Sequence, residues 1–338
     1  MVPRARRPYD RRTMTLATDF DRYWAQAEAC HARGDEREAA LALHRAVEAR
    51  PDDMRSLAHF CRTLYENPSL FASPPAPRPR GPAPLVSVVI CSIDTTKFGR
   101  VRESYGRAFG DDPWELVGVH DARSLAEGYT RGLSRAKGDL VVFSHDDIEI
   151  LTIRLGEALS SALEAADVVG LAGTTALAGP AFAWSGKAAA RGRFAEPAKG
   201  RDGLDLLIFN PVPRLASGMQ ALDGVWIAAT RRAAEATGFD AKTFDGFHLY
   251  DIDFTYRAHL AGLKVAITPD VVLRHDSTGS FDAKWNEYAG RFLAKFPGLL
   301  RERCRSEMLR VPFSDAAQLV SYCARMDEAG RQASANQA

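Results

Sequence analysis

The 338-residue chain has no excess of charge of either sign: 44 Lys and Arg against 43 Asp and Glu leave a formal net charge of +1. No whole-molecule field therefore draws it onto nucleic acid or anionic lipid, and any partner is chosen by a local site. No apolar run approaches the roughly 20 residues of a spanning helix, and the N-terminus lacks the apolar stretch of a signal peptide. Cysteine pairing is also missing. Cys30, Cys61, Cys91, Cys304 and Cys323 are odd in number, far apart and without a C-x-x-C pair, which argues against a disulfide framework and for a reduced, cytoplasmic protein. The hydrophobic fraction of 46% is ordinary. It suffices for one sizeable α/β core with residues left for a smaller module.

Residues 1–16, with Arg4, Arg6, Arg7, Arg11 and Arg12, read as a disordered basic tail. Over 17–67 apolar and small residues recur at helical spacing (Tyr23, Ala27, Cys30; Ala39, Leu43, Ala46; Leu57, Phe60, Leu64), interrupted at Gly34-Asp35. This stretch resembles a tetratricopeptide repeat, with Ala27, Gly34, Ala39, Ala46 and Pro51 on the repeat's small-residue, turn and proline positions. One and a half repeats bury little alone, so the segment is expected to pack on the rest of the chain, on a second subunit or on a protein partner. Residues 68–84 are proline-rich, from Pro68 to Pro84, and read as an extended linker.

Beyond the linker, strands alternate with helices through residues 85–297. Leu85 to Ile90, Glu115 to Val119 and Leu140 to Phe143 are β-rich runs. Between them lie a helix marked by Val101, Tyr105 and Ala108, and another that a Ser124/Glu127 capping box opens onto Leu125, Tyr129 and Leu133. Continuous apolar strands between helices imply an α/β fold with a mainly parallel sheet covered on both faces, and ligands at the carboxyl ends of its strands. Residues 176–221, rich in Gly, Ala and Pro with Trp184, Phe194 and Phe209, read as an irregular insertion over the site. Residues 298–330 read as C-terminal helices and 331–338 as disordered.

The third strand ends in Ser144-His145-Asp146-Asp147. A histidine and two carboxylates there either hold a divalent ion that neutralises a diphosphate leaving group or cap a helix marked by Leu151, Leu155, Leu159 and Leu163. Asp251, at the start of a helix with Ile252, Tyr256 and Leu260 on its apolar stripe and Gly262 at its end, is either a cap or a general base facing the crevice. His275 follows an apolar run and precedes a small polar loop. It either completes a metal shell, contacts phosphate, or is a satisfied hydrogen-bonding residue.

These segments, taken in order, carry a resemblance. Leu125-Ala126-Glu127-Gly128-Tyr129, Ala136-Lys137-Gly138-Asp139 through Asp147, Asp223-Gly224, Tyr250-Asp251-Ile252-Asp253-Phe254 and His275-Asp276-Ser277 resemble family 2-type GT-A glycosyltransferases. The likeness is greatest to bacterial glycosyltransferase-like domains of the streptomycin-biosynthesis type, and it covers residues 85–297. It implies a GT-A fold, with a mixed, mainly parallel sheet plus the small N-terminal helical hairpin. It also implies a nucleotide-diphosphate sugar as donor, Mn2+ or Mg2+ as cofactor, and a glycan or other hydroxyl acceptor. Carried over by position, Asp147 is the principal metal ligand, with His145 and His275 beside it. Asp146 approaches the donor's ribose or sugar, and Asp251 deprotonates the acceptor in an inverting displacement. Ser92, Asp94 and Asp121 line the nucleoside pocket, and Asp223 lies near the donor sugar or acceptor. Two positions depart from the pattern: His145 replaces the first aspartate of D-x-D, and Thr130 replaces an asparagine. Two other readings remain at this level. A sugar nucleotidyltransferase would need a Gly-rich loop where Ser92 to Lys97 has none; a non-catalytic carbohydrate-binding or scaffold protein would need none of the acidic and histidine positions together.

Overall fold

The computed structural model describes residues 11–72, 83–277, 281–299, 304 and 306–335. Three helices come first: α1 (Arg11–Ala32), α2 (Glu36–Ala49) and α3 (Met54–Glu66). Asp35 caps α2 by accepting the Glu38 N–H, and Asp53 caps α3 by accepting those of Arg55 and Ser56. The first ten residues of the expected basic tail lie outside the described residues, and helix begins at Arg11. Most of the expected linker, 73–82, also lies outside them.

The α/β unit follows as β1 (Val86–Cys91), α4 (Thr95–Phe109), β2 (Trp114–Val119), α5 (Leu125–Arg135), β3 (Leu140–Ser144), β4 (Ile148–Ile150), α6 (Leu155–Ala165), β5 (Val168–Gly170) and β6 (Ala172–Thr174). Then come β7 (Ala190–Pro197), β8 (Leu204–Asn210), β9 (Ala216–Ser217), β10 (Ala221–Leu222), β11 (Trp226–Thr230), α7 (Arg231–Thr237), α8 (Tyr250–Leu260), β12 (Val265–Ile267) and β13 (Leu273–His275). The chain closes with α9 (Ala283–Lys295), β14 (Leu309–Phe313) and α10 (Ala316–Ala335).

One sheet has the order β2-β1-β3-β11-β5-β12-β9. β2, β1, β3, β5 and β12 run the same way, whereas β11 and β9 oppose them. The sheet is thus mixed and mainly parallel, as the alternating pattern implies. β1 is apolar on both faces because helices cover both, and α5 lies so close that a Cβ on Gly132 would collide with the Val89 side chain.

A second sheet was not legible in the sequence. β10, β6, β7, β13 and β4 form it, with β8 and β14 extending from β7, and it is mostly antiparallel. The expected irregular insertion over 176–221 therefore contains long strands. β7 and β8 are buried on both faces, so neither shows the alternation that would mark a strand. The expected C-terminal helices likewise include strand β14, and α10 runs through Ala335 into the stretch read as disordered. Arg193 on β7 makes a buried bidentate pair with Asp327 on α10, 2.6 Å at each oxygen. This pair fixes the terminal helix against the second sheet.

Two further expectations differ. Asp146 and Asp147 cap no helix: β4 intervenes, and α6 starts after Arg154, which has no side-chain cap bond. Leu260, placed on the apolar stripe of α8, is 58% exposed, so the buried face of that helix is Ile252, Phe254 and Ala258. The N-terminal helices pack on the second sheet and α10. Leu57, Phe60 and Leu64 share a core with Leu206, Val311, Tyr322 and Met326. Among the described residues no helix is long and apolar enough to cross a membrane.

Candidate functional site

Strand pairing assembles the site. β13 lies antiparallel to β4 with His275 opposite Ile148, which sets His275 beside Asp147. β11 lies antiparallel to β3 with Trp226 opposite Ser144, so Asp223-Gly224-Val225 enters alongside His145, whose N–H donates to the Val225 carbonyl. One ligand atom from each of His145, Asp147 and His275 lies within 4.8 Å of the others. His275 Nε2 is 3.4 Å from Asp147 Oδ1 and 3.5 Å from His145 Nδ1, and the Ser277 hydroxyl is 3.2 Å from the same nitrogen.

The hydrogen bonds settle which nitrogen of His145 faces this cluster bare. The Tyr250 hydroxyl spends its one proton on the Gly224 carbonyl, 2.9 Å away. His145 Nε2, 2.8 Å from that hydroxyl, must then be the donor. Burial, and after it the neighbouring His275, push His145 down to about 4, so at neutral pH its Nδ1 holds an unshared pair. Burial would push Asp147 up, but hydrogen bonds from His275 and Ser277 and the nearby imidazoles hold it well below the ordinary carboxylate range. Burial likewise opposes the charge on His275, which its bond and attraction to Asp147 raise above 6.5. Electron-rich atoms converging on one point need a shared proton or a cation between them. Two imidazole nitrogens and a carboxylate oxygen form a set that fits a divalent first-row ion.

Asp251 opens α8. Leu249 before it is in the left-handed region at φ 63°, a strained conformation for leucine, held because its side chain is buried with Phe244 and Ile252. Burial, and then the adjacent Asp223, drive Asp251 up to about 7, although the N–H groups of Ile252, Asp251 and Gly224 partly offset this. Asp223 is raised as well, by burial. A Cβ on Gly224 would lie 2.5 Å from the Tyr250 hydroxyl and 2.7 Å from an Asp251 carboxylate oxygen, so only glycine passes between them.

His145, Asp223, Asp251 and His275 line one cavity of about 310 Å3, whose wall includes Phe182, Phe247, Phe281 and Trp285. Asp146 and Asp147 line an adjoining groove of about 400 Å3 with Lys97, Arg100 and Arg274, and Ser277 borders both spaces. Ser92 lies at its edge through a 2.6 Å bond to Asp146. Asp94 and Asp121 line neither space, although the backbone of Asp94 bonds to the Ser92 hydroxyl. Asp94 caps α4 by accepting the Thr96 and Lys97 N–H groups, and Asp121 is an exposed partner of Arg131. Tyr250, which orients His145, stands in the sequence reading only as a motif residue with no role at the site. It lies 105 positions from that histidine, and no local spacing signals such a pair.

Residues 87–296 match the glycosyltransferase-like family. No curated protein matches the sequence. Similar solved structures include GalNAc-T7 with UDP, GalNAc and Mn2+, at TM-score 0.40 and 12% identity over 64% of this chain and 51% of that one. S. aureus TarS in complex with UDP gives TM-score 0.38 and 13% identity over 57% and 60%, and a protein from STIV gives 0.33 and 10% over 57% and 86%. The chain thus spans about half of the GalNAc-T7 chain and three fifths of the TarS chain. With the family match extending through the strands and helix that carry His145, Asp147, Asp251 and His275, the chain belongs to the glycosyltransferase-like family and is a glycosyltransferase.

Proposed function

We propose that this enzyme transfers a sugar from a nucleotide-diphosphate sugar to a hydroxyl acceptor with inversion, assisted by a divalent metal ion, with Asp251 as general base. One observation carries the reading: a carboxylate raised to about 7 shares a cavity with the two histidines of a His145, Asp147, His275 cluster, whose Asp147 lines the adjoining groove. His145 Nδ1, Asp147 Oδ1 and His275 Nε2 would hold the ion, whose chemistry is to neutralise the diphosphate as it leaves. Imidazole ligands favour a transition ion, so Mn2+ is expected to serve better than Mg2+.

Asp251 takes the proton of the attacking hydroxyl while that oxygen bonds to the anomeric carbon. The bond from this carbon to the diphosphate breaks, and its electron pair leaves with the diphosphate. A base near 7 is far more effective at neutral pH than a carboxylate at its ordinary value. Asp223 keeps Asp251 basic and would face the donor sugar or acceptor. Asp146, fixed by Ser92, would meet the ribose or sugar. Asp94 and Asp121 would add to a nucleoside pocket only what capping α4 and pairing Arg131 leave them.

We read the N-terminal helices as tetratricopeptide-like, supported by buried Ala27, Ala39 and Ala46 and by Gly34 at φ 73°. They brace the second sheet, leaving their outer face for a protein partner or dimer. A bacterial enzyme of the streptomycin-biosynthesis type in a reducing cytoplasm fits the motif order and the five unpaired cysteines. The test is diphosphate release from a panel of sugar nucleotides. Release should be abolished by EDTA, restored by Mn2+, and slowed about 100-fold or more by Asp251→Asn. Metal-independent turnover, or full activity in that variant, refutes the reading.

A further inference from the structure

We infer that the acceptor is a saccharide whose pyranose ring lies against Phe247 and Phe281 at the cavity that holds Asp251. This rests on the glycosyl-transfer reading and names its acceptor class. Both rings line the cavity, yet they are 52% and 56% exposed, among the few large apolar side chains of the described residues left in water. Such exposure is unfavourable, and an apolar surface beside a site marks a place where a ligand covers it.

Both rings sit beside packed residues. Phe247 follows Gly246, whose carbonyl accepts the Leu125 N–H and whose Cα packs so tightly on Tyr288 that a Cβ would collide with the hydroxyl. Asp245, one residue earlier, accepts from Tyr288 and Arg291. Phe281 stacks on Trp184 at 5.9 Å and meets Trp285 edge-on at 4.7 Å. The two faces are therefore presented from fixed positions, at little entropic cost on binding.

The same cavity carries Asp223, Glu196 and His248. Aromatic faces interleaved with carboxylates and an imidazole match a pyranose, which offers a C–H face for stacking and hydroxyls for hydrogen bonding. A polyprenyl or acyl chain would need a continuous apolar trough, which these polar groups interrupt. A peptide read by strand addition would need a free sheet edge, and the aromatic wall offers side chains instead.

The test combines saturation-transfer NMR of the full chain, using a panel of methyl α- and β-pyranosides, with Mn2+-dependent diphosphate release from a sugar-nucleotide panel. Saturation of ring C–H protons is expected from at least one pyranoside. It should fall at least threefold in Phe247→Ala and Phe281→Ala and persist in Phe281→Trp. The same pyranoside should accelerate diphosphate release, with its KM raised by the alanine variants more than the donor KM. Both side chains are exposed, and urea midpoints will verify that the variants fold. Release accelerated by a Ser/Thr peptide or by farnesol, with no pyranoside bound, overturns the inference and leaves the transfer reading standing. Phe281-dependent pyranoside binding with no release from any donor overturns the transfer reading, and with it the acceptor role, and leaves a saccharide-binding site at these rings.

Discussion

Asp251→Asn separates catalysis from stability in a way that only a raised carboxyl explains. A carboxyl at about 7 in the folded chain and 3.8 in the unfolded one binds its proton more tightly when folded. Its stabilising contribution is therefore fully present below pH 3.8 and is lost as pH rises through about 7. The full difference corresponds to roughly 4 kcal/mol, and partial solvent contact at the half-buried carboxylate brings this to about 2–4 kcal/mol. Asparagine carries no charge at any pH and keeps an oxygen for the N–H groups at the start of α8. Relative to wild type, the variant should gain stability steadily between about pH 4 and pH 8, while turnover falls about 100-fold or more. Urea unfolding followed by tryptophan fluorescence, across that pH range and in EDTA so that metal binding adds nothing, reads the difference directly. A stability difference that stays flat with pH would refute the raised carboxyl. A variant that still turns over would refute the base.

Other outcomes follow from the same geometry. Asp223→Asn removes the negative neighbour of Asp251, so the acidic limb of kcat/KM, expected near pH 7 in wild type, should move to lower pH. Tyr250→Phe deprives His145 Nε2–H of its acceptor; as a positioning residue, Tyr250 should be worth about 10–100-fold in Mn2+ affinity by calorimetry, with the fold intact by circular dichroism. Gly224→Ala forces a methyl between Tyr250 and Asp251 and should cost about 1–3 kcal/mol in urea unfolding together with most of the activity. Arg193→Met leaves Asp327 buried without its cation and should cost about 3–5 kcal/mol, far more than the paired change Arg193→Met with Asp327→Leu.

Local patterns in the sequence specified much of this molecule. Continuous apolar runs marked β1, β2 and β3, since a strand covered on both faces has no polar side to show. Ser124 marked the start of α5 and Gly262 the end of α8. The order of His145, Asp147, Asp251 and His275 pointed to a strand end and a helix start as the places for chemistry. Tertiary structure alone decided the rest. The second sheet pairs β8 with β14, about a hundred positions apart, and no window of sequence contains that pairing. Asp94 and Asp121 have the residue type of a nucleoside pocket, and only the fold shows that the first also caps α4 and the second pairs with Arg131. Asp251 reads as a cap or as a base from its position, and it is folding that buries its carboxyl beside Asp223 and raises it. The choice of ring nitrogen at His145 depends on a tyrosine and a glycine carbonyl brought together from distant segments. Elements are decided by neighbours along the chain, whereas protonation states and ligand directions are decided by neighbours in space.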